Sequence, residues 1–280
     1  MIFLLSLSAA LLFGVGDFSG GFASRRQPVG AVLFTSQLFG LLLVSLVSPL
    51  LLEGVPRAAD LLWGAAAGIG GAVGILFLYH ALAHTVVAIV SPTAALVGAL
   101  LPLVFGLLIG DAVSPIGWIG IGLILPAVVL LSYEHLEAGT TVEERRRAFL
   151  YGIGAGAGFG LFFILIAQTS PAAGLWPLAG ARITSLAMVA CYSILRGRSL
   201  IVRGQGIGAT IMAGTFDMAA NIAFMLAVQS GRIILVTAVT SVYPAPTVLL
   251  ARLINGEKVH PLRWAGLAAA AAGVACMGIG

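Results

Sequence analysis

Apolar runs of about twenty residues, separated by short breaks rich in charge, proline or glycine, fill the chain from one end to the other. A helix rises about 1.5 Å per residue and needs roughly twenty apolar residues to cross a bilayer's hydrocarbon core, so each run predicts one spanning helix. The runs lie at 2–23, 29–51, 60–82, 86–108, 115–132, 148–168, 175–195, 206–228, 233–254 and 262–280. The fold class this predicts is an all-α integral membrane protein of ten transmembrane helices, because a backbone in lipid must satisfy its own hydrogen bonds. Breaks fall at Ser24-Arg25-Arg26-Gln27-Pro28, at Glu53-Gly54-Val55-Pro56-Arg57, and at Gly110-Asp111 with Ser114-Pro115. The longest runs from Tyr133 to Arg147, carries Glu134, Glu137, Glu143, Glu144 and three arginines, and falls at mid-chain.

A polar segment at the middle suggests a repeat on either side of it. A shift of 146 residues lays Gly110-Asp111-Ala112-Val113-Ser114-Pro115-Ile116-Gly117-Trp118-Ile119-Gly120 on Gly256-Glu257-Lys258-Val259-His260-Pro261-Leu262-Arg263-Trp264-Ala265-Gly266. Glycine, valine, proline and tryptophan coincide, and acid lies on acid. Apolar runs match one another by chance, but a Gly-acid-x-Val-x-Pro-x-x-Trp-x-Gly pattern does not. The domains expected are a first five-helix repeat (1–133), a polar linker (134–147) and a second five-helix repeat (148–280). Five is odd, so the second half must enter the membrane upside down. Two inverted repeats with a site between them are a transporter architecture.

Composition narrows this further. Sixty per cent of the residues are hydrophobic and 9% charged, too few charges to cover a water-facing surface. The net charge of +4 does not point to nucleic acid, because the basic residues sit singly or in short clusters between apolar runs. Their distribution sets orientation instead. Arg25, Arg26, Arg145, Arg146, Arg147, Arg196, Arg198, Arg203 and Lys258 fall on one side, and only Arg57 and Arg232 on the other. Arginine-rich loops stay in the cytoplasm, which predicts both termini outside. Cys191 and Cys276 lie in apolar runs without partner spacing and read as reduced packing residues. The opening run has no basic segment ahead of it and no convincing cleavage site, so it reads as a first span.

Ser241-Val242-Tyr243-Pro244-Ala245-Pro246-Thr247-Val248-Leu249-Leu250-Ala251-Arg252, followed by Gly256-Glu257-Lys258, resembles the second-repeat signature of the EamA-type drug/metabolite transporter superfamily. The opening Leu12-Phe13-Gly14-Val15-Gly16-Asp17-Phe18-Ser19-Gly20-Gly21 with Ser24-Arg25-Arg26, and Gly174-Leu175-Trp176-Pro177-Leu178 with Ala181-Arg182, resemble a subgroup of it. Asp111 departs from the pattern, standing where the family has a glutamate, with no basic residue after it. The resemblance implies ten helices, no cofactor, and export of small metabolites or amino-acid-like compounds. It also implies both termini in the cytoplasm, against the charge bias.

Ionisable groups within the spans are costly and so are the candidate chemistry. Asp217 lies near the centre of the eighth run with Asn221 and Gly214 on its face; it is either a substrate or coupling site or a neutral hydrogen-bonding residue. Asp17 shares its face with Gly14, Gly20 and Gly21, which make either space for a ligand or a packing surface, and its repeat mate is Phe163. Arg182 either snorkels to the interface or turns inward to pair with Asp217, Asp17 or a carboxylate substrate. His80 with His84 one turn on has metal-ligand spacing but no third ligand nearby, so no metal site is expected and an interfacial or relay role is open. Gln37 and Gln168 are single amides that join helices or line a site. Tyr243 either lines a cavity beside Pro244 and Pro246, where a broken helix frees carbonyls, or packs as an ordinary aromatic. Gly152, Gly154, Gly156, Gly158 and Gly160 follow no strand and read as a small-residue surface for close packing, and the arginines 145–147 as a solvated anchor.

The expected function is a secondary transporter of the inner (plasma) membrane, an exporter working by alternating access and coupled to protons or exchange. It is not an enzyme, and it has no ATP-binding motif. The expected partners are a small-molecule substrate and the lipid bilayer, with a homodimer left open. The rival readings are a small-molecule channel, a non-transporting receptor and, more remotely, a lipid-modifying enzyme, which would need an edge cluster of acids or histidines. Spans three, four, eight and nine should line a central cavity, with one and six beside it and five and ten peripheral. Asp217, with Asn221 and Arg182 as neighbours, is the expected coupling residue, and Asp17 the next.

Overall fold

The computed structural model describes residues 1–51, 56–134 and 139–279, and among them not the side chains of 50, 51, 79, 82–84 and 87. The break at Glu53-Gly54-Val55, the linker residue Glu137 and the side chains of Tyr79 and His84 therefore lie outside the described residues.

The chain is helical: α1 (Ile2–Ser24), α2 (Val29–Leu51), α3 (Ala58–His84), α4 (Val87–Leu108), α5 (Pro115–Leu131), α6 (Val142–Ala167), α7 (Trp176–Leu195), α8 (Ile207–Val228), α9 (Ile233–Thr240), α10 (Pro244–Asn255) and α11 (Pro261–Ile279). Among the described residues nine apolar helices are long enough to cross a membrane, counting 233–255 as one, and Pro115–Leu131 is a shorter tenth. This is a multi-pass membrane protein. The bounds fall close to the apolar runs except in two places, and each has a local cause.

The first is α6, which begins at Val142 within the segment read as linker. Thr141 accepts from the Glu144 backbone N–H at 3.2 Å, and the Glu144 carboxylate accepts from the Thr141 N–H at 2.8 Å. This reciprocal cap starts a helix as soon as the sequence supplies it. The second is the ninth run, which breaks into α9 and α10. Pro244 and Pro246 have no N–H to give to the carbonyls four residues back. The Thr240 carbonyl accepts from the Tyr243 N–H at 3.1 Å instead, and Val242 from Ala245 at 2.9 Å. The freed carbonyls are thus taken up locally by a tighter turn.

Glycines set the packing. α6 lies between α3 and α4 with Gly158 on Gly74 and Gly156 on the Ala94 carbonyl, so close that an added Cβ would stand 2.5 Å from the Gly74 Cα and 2.6 Å from that oxygen. The alternating glycines of α6 are the close-packing surface the sequence suggested. α1 lies along α8, α3 along α7, and α2 crosses both α7 and α8. α5 and α11 pack on each other through Gly120 and Gly273, and Trp118 and Trp264 are left exposed at 45% and 44%.

The spans alternate in direction, with α9 and α10 counted as one, which gives the bundle two distinct ends. Both termini lie at one, where the Phe3 ring abuts Gly278; it is the terminal end. There Asp60 accepts from the Ser170 N–H at 2.8 Å and its hydroxyl at 3.1 Å. At the other, the arginine-rich end, Arg25 donates to Glu257 at 2.6 Å and Gln27 donates to the Arg203 and Gln205 carbonyls.

These contacts predict a sharp contrast between two glycines. Gly158→Ala forces α3 and α6 apart and should lower stability by roughly 1–3 kcal/mol. Gly208→Ala in α8, with nothing within 4 Å of an added Cβ, should be neutral or stabilise by up to about 1 kcal/mol. Thermal unfolding of the two variants in detergent checks this, and equal melting shifts would count against the packing.

Candidate functional site

Two cavities meet inside the bundle. The deeper holds about 240 Å³ and is lined by Asp17, Asp217, Arg182 and Asn221, a set of phenylalanines (Phe13, Phe159, Phe162, Phe163, Phe224) and Tyr243. The wider, about 460 Å³, shares Asp17, Leu78, Ala94, Ala95, Phe159 and Tyr243 with it and continues to Arg25, Glu134, Glu257 and Arg263 at the arginine-rich end. A path therefore runs from that end to mid-bundle.

At the terminal end the path is shut. Gly106 near the end of α4 lies under the Ile233 and Ile234 side chains, and the Asp111 carboxylate accepts from the Ile234 backbone N–H at 2.8 Å. Toward the arginine-rich end α4 and α10 line the wider cavity, with Ser91, Ala94 and Ala95 from one and Thr247, Val248 and Ala251 from the other. α4 and the broken span α9–α10 thus close on each other through α9 at one end and enclose a cavity beside α10 at the other.

The charged groups sit where small neighbours allow. Gly16 of α1 packs on the Asp217 backbone, 3.1 Å from an added Cβ to the nitrogen, and Gly214 of α8 packs on the Ser36 carbonyl of α2. These approaches bring α1, α2 and α8 together around Asp217. Arg182 turns inward from α7 and donates to the Asp217 carboxylate, which Asn221 also meets at 3.3 Å while bonding the Asp217 carbonyl at 2.8 Å. The Arg182 side chain is 13% exposed and that of Asp217 39%, so the pair faces the cavity without being sealed from it. Asp17 is exposed to the cavity and, among the described residues, makes no hydrogen bond or ion pair. Two acids and one base thus share the space.

The other expected residues fall in different places. Tyr243 lines both cavities and stands 6.3 Å from the Phe13 ring. Gln37 is buried between α2 and α7, where it accepts from the Ser185 hydroxyl, and it does not line the cavities. His80 stacks on Tyr151 at 5.0 Å, and Gln168 bonds the Ile164 carbonyl at 3.3 Å. α5 and α11 meet the path only at its mouth, through Leu131 and Arg263.

Sequence reasoning passed over the aromatic wall. Phe163 packs against Phe224 with ring centroids 4.5 Å apart and edge-to-face against Phe13 at 6.2 Å. The available signal was its place as the repeat mate of Asp17. It also passed over Thr237, a 3% exposed residue whose hydroxyl has no partner among the described residues and which lines the deeper cavity. At the mouth, hydrogen bonds from Arg25 and then Asn255 hold the Glu257 carboxyl below the usual glutamate range against the opposing effect of burial. A depressed carboxyl stays ionised above its ordinary range, so this link persists at neutral pH and is lost only as pH falls through its lowered value.

The inward pair predicts non-additive substitutions. Arg182→Gln and Asp217→Asn should each lower the melting temperature, and the double variant by less than their sum. Partial exposure keeps the coupling on the order of 1 kcal/mol. Additive shifts in a double-mutant cycle would show that the pair contributes nothing.

Comparison with known proteins bears on the whole. A crystal structure described only as that of a protein shares the fold, with a TM-score of 0.81 at 18% identity over 98% of this chain and 95% of that one. No curated protein is matched by sequence. Residues 146–279, which carry Arg182, Asp217, Asn221 and the broken helix, match the EamA-like transporter family. Over these residues the chain is similar to the EamA-like transporter family, a family of membrane transporters.

Proposed function

We propose that the protein is an exporter of small amine-bearing metabolites, amino-acid-like in size, that works by alternating access between two inverted five-helix repeats. The carrying observation is the mid-bundle cavity with two carboxylates and one guanidinium, open to one end and shut at the other. Two acids and one base leave one negative charge when all are ionised, which favours a cation or the ammonium of a zwitterion. The phenylalanines supply an apolar wall for the rest of the molecule, and ring faces attract an ammonium group.

The inverted-repeat reading is supported by matched packing. The shift of 146 residues takes Gly68 to Gly214; the first packs on the Ala181 carbonyl and the second on the Ser36 carbonyl, positions that correspond within one residue. The packing of α1 on α8 likewise has its counterpart in α6 on α3. The repeats are 1–133 and 148–280, with residues 142–147 of the linker 134–147 forming the start of α6.

Of the two acids, Asp17 fits the coupling role better than Asp217. Arg182 and Asn221 already engage the Asp217 carboxylate, whereas Asp17 has no partner among the described residues and faces both cavities. A group without a partner can hold a proton in one state and a substrate ammonium in the other. Asp217 then fixes Arg182 and shapes the site. The arginine-rich end faces the cytoplasm by charge, so the site loads from inside a plasma membrane.

Proteoliposomes with an imposed pH gradient and a pooled set of radiolabelled amines and amino acids test this reading. Uphill movement of at least one amine is expected, with Asp17→Asn losing accumulation at least tenfold while keeping some exchange. Wild-type accumulation by Asp17→Asn would move the coupling to Asp217, and no saturable flux of any compound would favour a receptor. For orientation, a cysteine at position 200, in a variant lacking Cys191 and Cys276, should resist an impermeant thiol reagent in intact cells. Labelling from outside would reverse the assignment.

A further inference from the structure

The Gly-acid segments that suggested the repeat lie at the two ends of the path, away from the Arg182–Asp217 pair, and both make specific contacts. Gly110 (φ +84°) and Gly256 (φ +68°) end α4 and α10 in the left-handed conformation that favours glycine. In each case the acid that follows turns its own N–H back to the helix, Asp111 to the Gly106 carbonyl at 2.9 Å and Glu257 to Ala251 at 3.3 Å. Here the two part. Asp111 crosses to the other half and accepts from the Ile234 N–H in the first turn of α9, where the terminal end is shut. Glu257 remains at the open arginine-rich end and accepts from Arg25 and Asn255.

We infer that the two acids are alternating latches: Asp111 holds the terminal gate closed, and Glu257 leaves Arg25 to cap the first turn of α4 when the arginine-rich gate closes. This rests on the inverted-repeat reading above and deepens it. The shift that takes Asp111 to Glu257 takes Ala88 to Ile234, so the N–H that Glu257 would capture belongs to Ala88. The site of capture fits the role. The residue ahead of α4, Val86, brings no side-chain acceptor, and no described side chain caps that helix. A helix's first amides and its dipole favour a carboxylate, so an uncapped first turn is a suitable resting place for one. Glutamate is one methylene longer than aspartate and can reach farther.

Arg25 gives the device its asymmetry. Its repeat mate is Pro171, so nothing at the terminal end corresponds to it. In the state seen, Arg25 keeps Glu257 away from α4 and so favours the open arginine-rich end. The two partners of one ion pair therefore have opposite expected effects. Removing Arg25 frees the latch and should favour closure. Removing Glu257 takes away the latch itself and should favour the open state. A merely structural ion pair would give both removals the same sign, because each breaks the same bond.

Pulsed electron–electron distance measurements in liposomes can read this, in full-length protein lacking its native cysteines. One label pair, 109 and 230, spans the terminal gate, and another, 85 and 258, the arginine-rich gate. Wild type should show two distances at each gate. Arg25→Ala should raise the share with the arginine-rich gate closed by several-fold to roughly tenfold, and Glu257→Ala should lower it by a similar factor, as expected for a first-turn carboxylate. Asp111→Ala should raise the share with the terminal gate open, and Asp111→Asn, which keeps an acceptor without the charge, should do so less if the alanine variant fails to fold. If Arg25→Ala and Glu257→Ala shift the arginine-rich gate the same way, the latch is wrong while alternating access stands. A single distance at each gate in wild type and every variant, together with absent flux, would overturn both.

Discussion

Helices in a bilayer gain nothing from hiding apolar side chains from one another, because lipid is as apolar as they are. What holds them is close contact, and close contact needs small residues. Gly158 on Gly74, Gly156 on the Ala94 carbonyl, Gly214 on the Ser36 carbonyl and Gly16 on the Asp217 backbone are the points at which this chain meets that constraint. Each fixes the register of two helices, since a shift of one residue would drive a Cβ into a neighbouring backbone. The cavity lies between these contacts and depends on them.

Within that frame the Arg182–Asp217 pair has a different job. A lone charge on a spanning helix costs roughly 2.5–3.5 kcal/mol on insertion scales. Pairing and cavity exposure lower the cost for these two residues, and Asn221 adds another donor. The pair adds little net stability once its desolvation is counted. Its consequence is positional: it draws the tip of an α7 side chain against α8, beside the acid of α1. The same cavity surface that makes the ions tolerable would admit the polar substrate proposed above.

The spans were legible because a run of some twenty apolar residues has few other fates, and α1, α2, α4, α7 and α8 begin and end within about two residues of their runs. Asp217, Asn221, Arg182, Asp17 and Tyr243 were legible as cavity residues because polarity at that depth is expensive and therefore rare. Gln37 was not separable from them by the same argument. A buried amide is as conspicuous between two packed helices as in a cavity, and only the position of Ser185 tells which it is. The start of α6 was missed because a hydropathy argument ignores caps, and Thr141 with Glu144 is a cap. The phenylalanines were missed for the opposite reason. In an apolar helix a phenylalanine looks the same whether it faces lipid, another helix or a ligand.

Under the proposed inverted-repeat reading, symmetry of frame and asymmetry of content together would let one cavity serve two gates. Asp217, Asn221 and Asp17 have Gly71, Ile75 and Phe163 as repeat mates, and all six line the deeper cavity. Corresponding positions of the two halves therefore face the same space, as two inverted units sharing one site would require. Only one member of each couple is polar. Were both polar, the cavity would hold a second set of acids, with like charges crowded in a low-dielectric space and two competing poses for a substrate. Glycine, isoleucine and phenylalanine on the opposing wall leave a single polar side and a single apolar one. Under the proposed alternating-access mechanism, a substrate with one charged end would have one orientation at the midpoint and could keep it while the helices around it exchange which gate is closed.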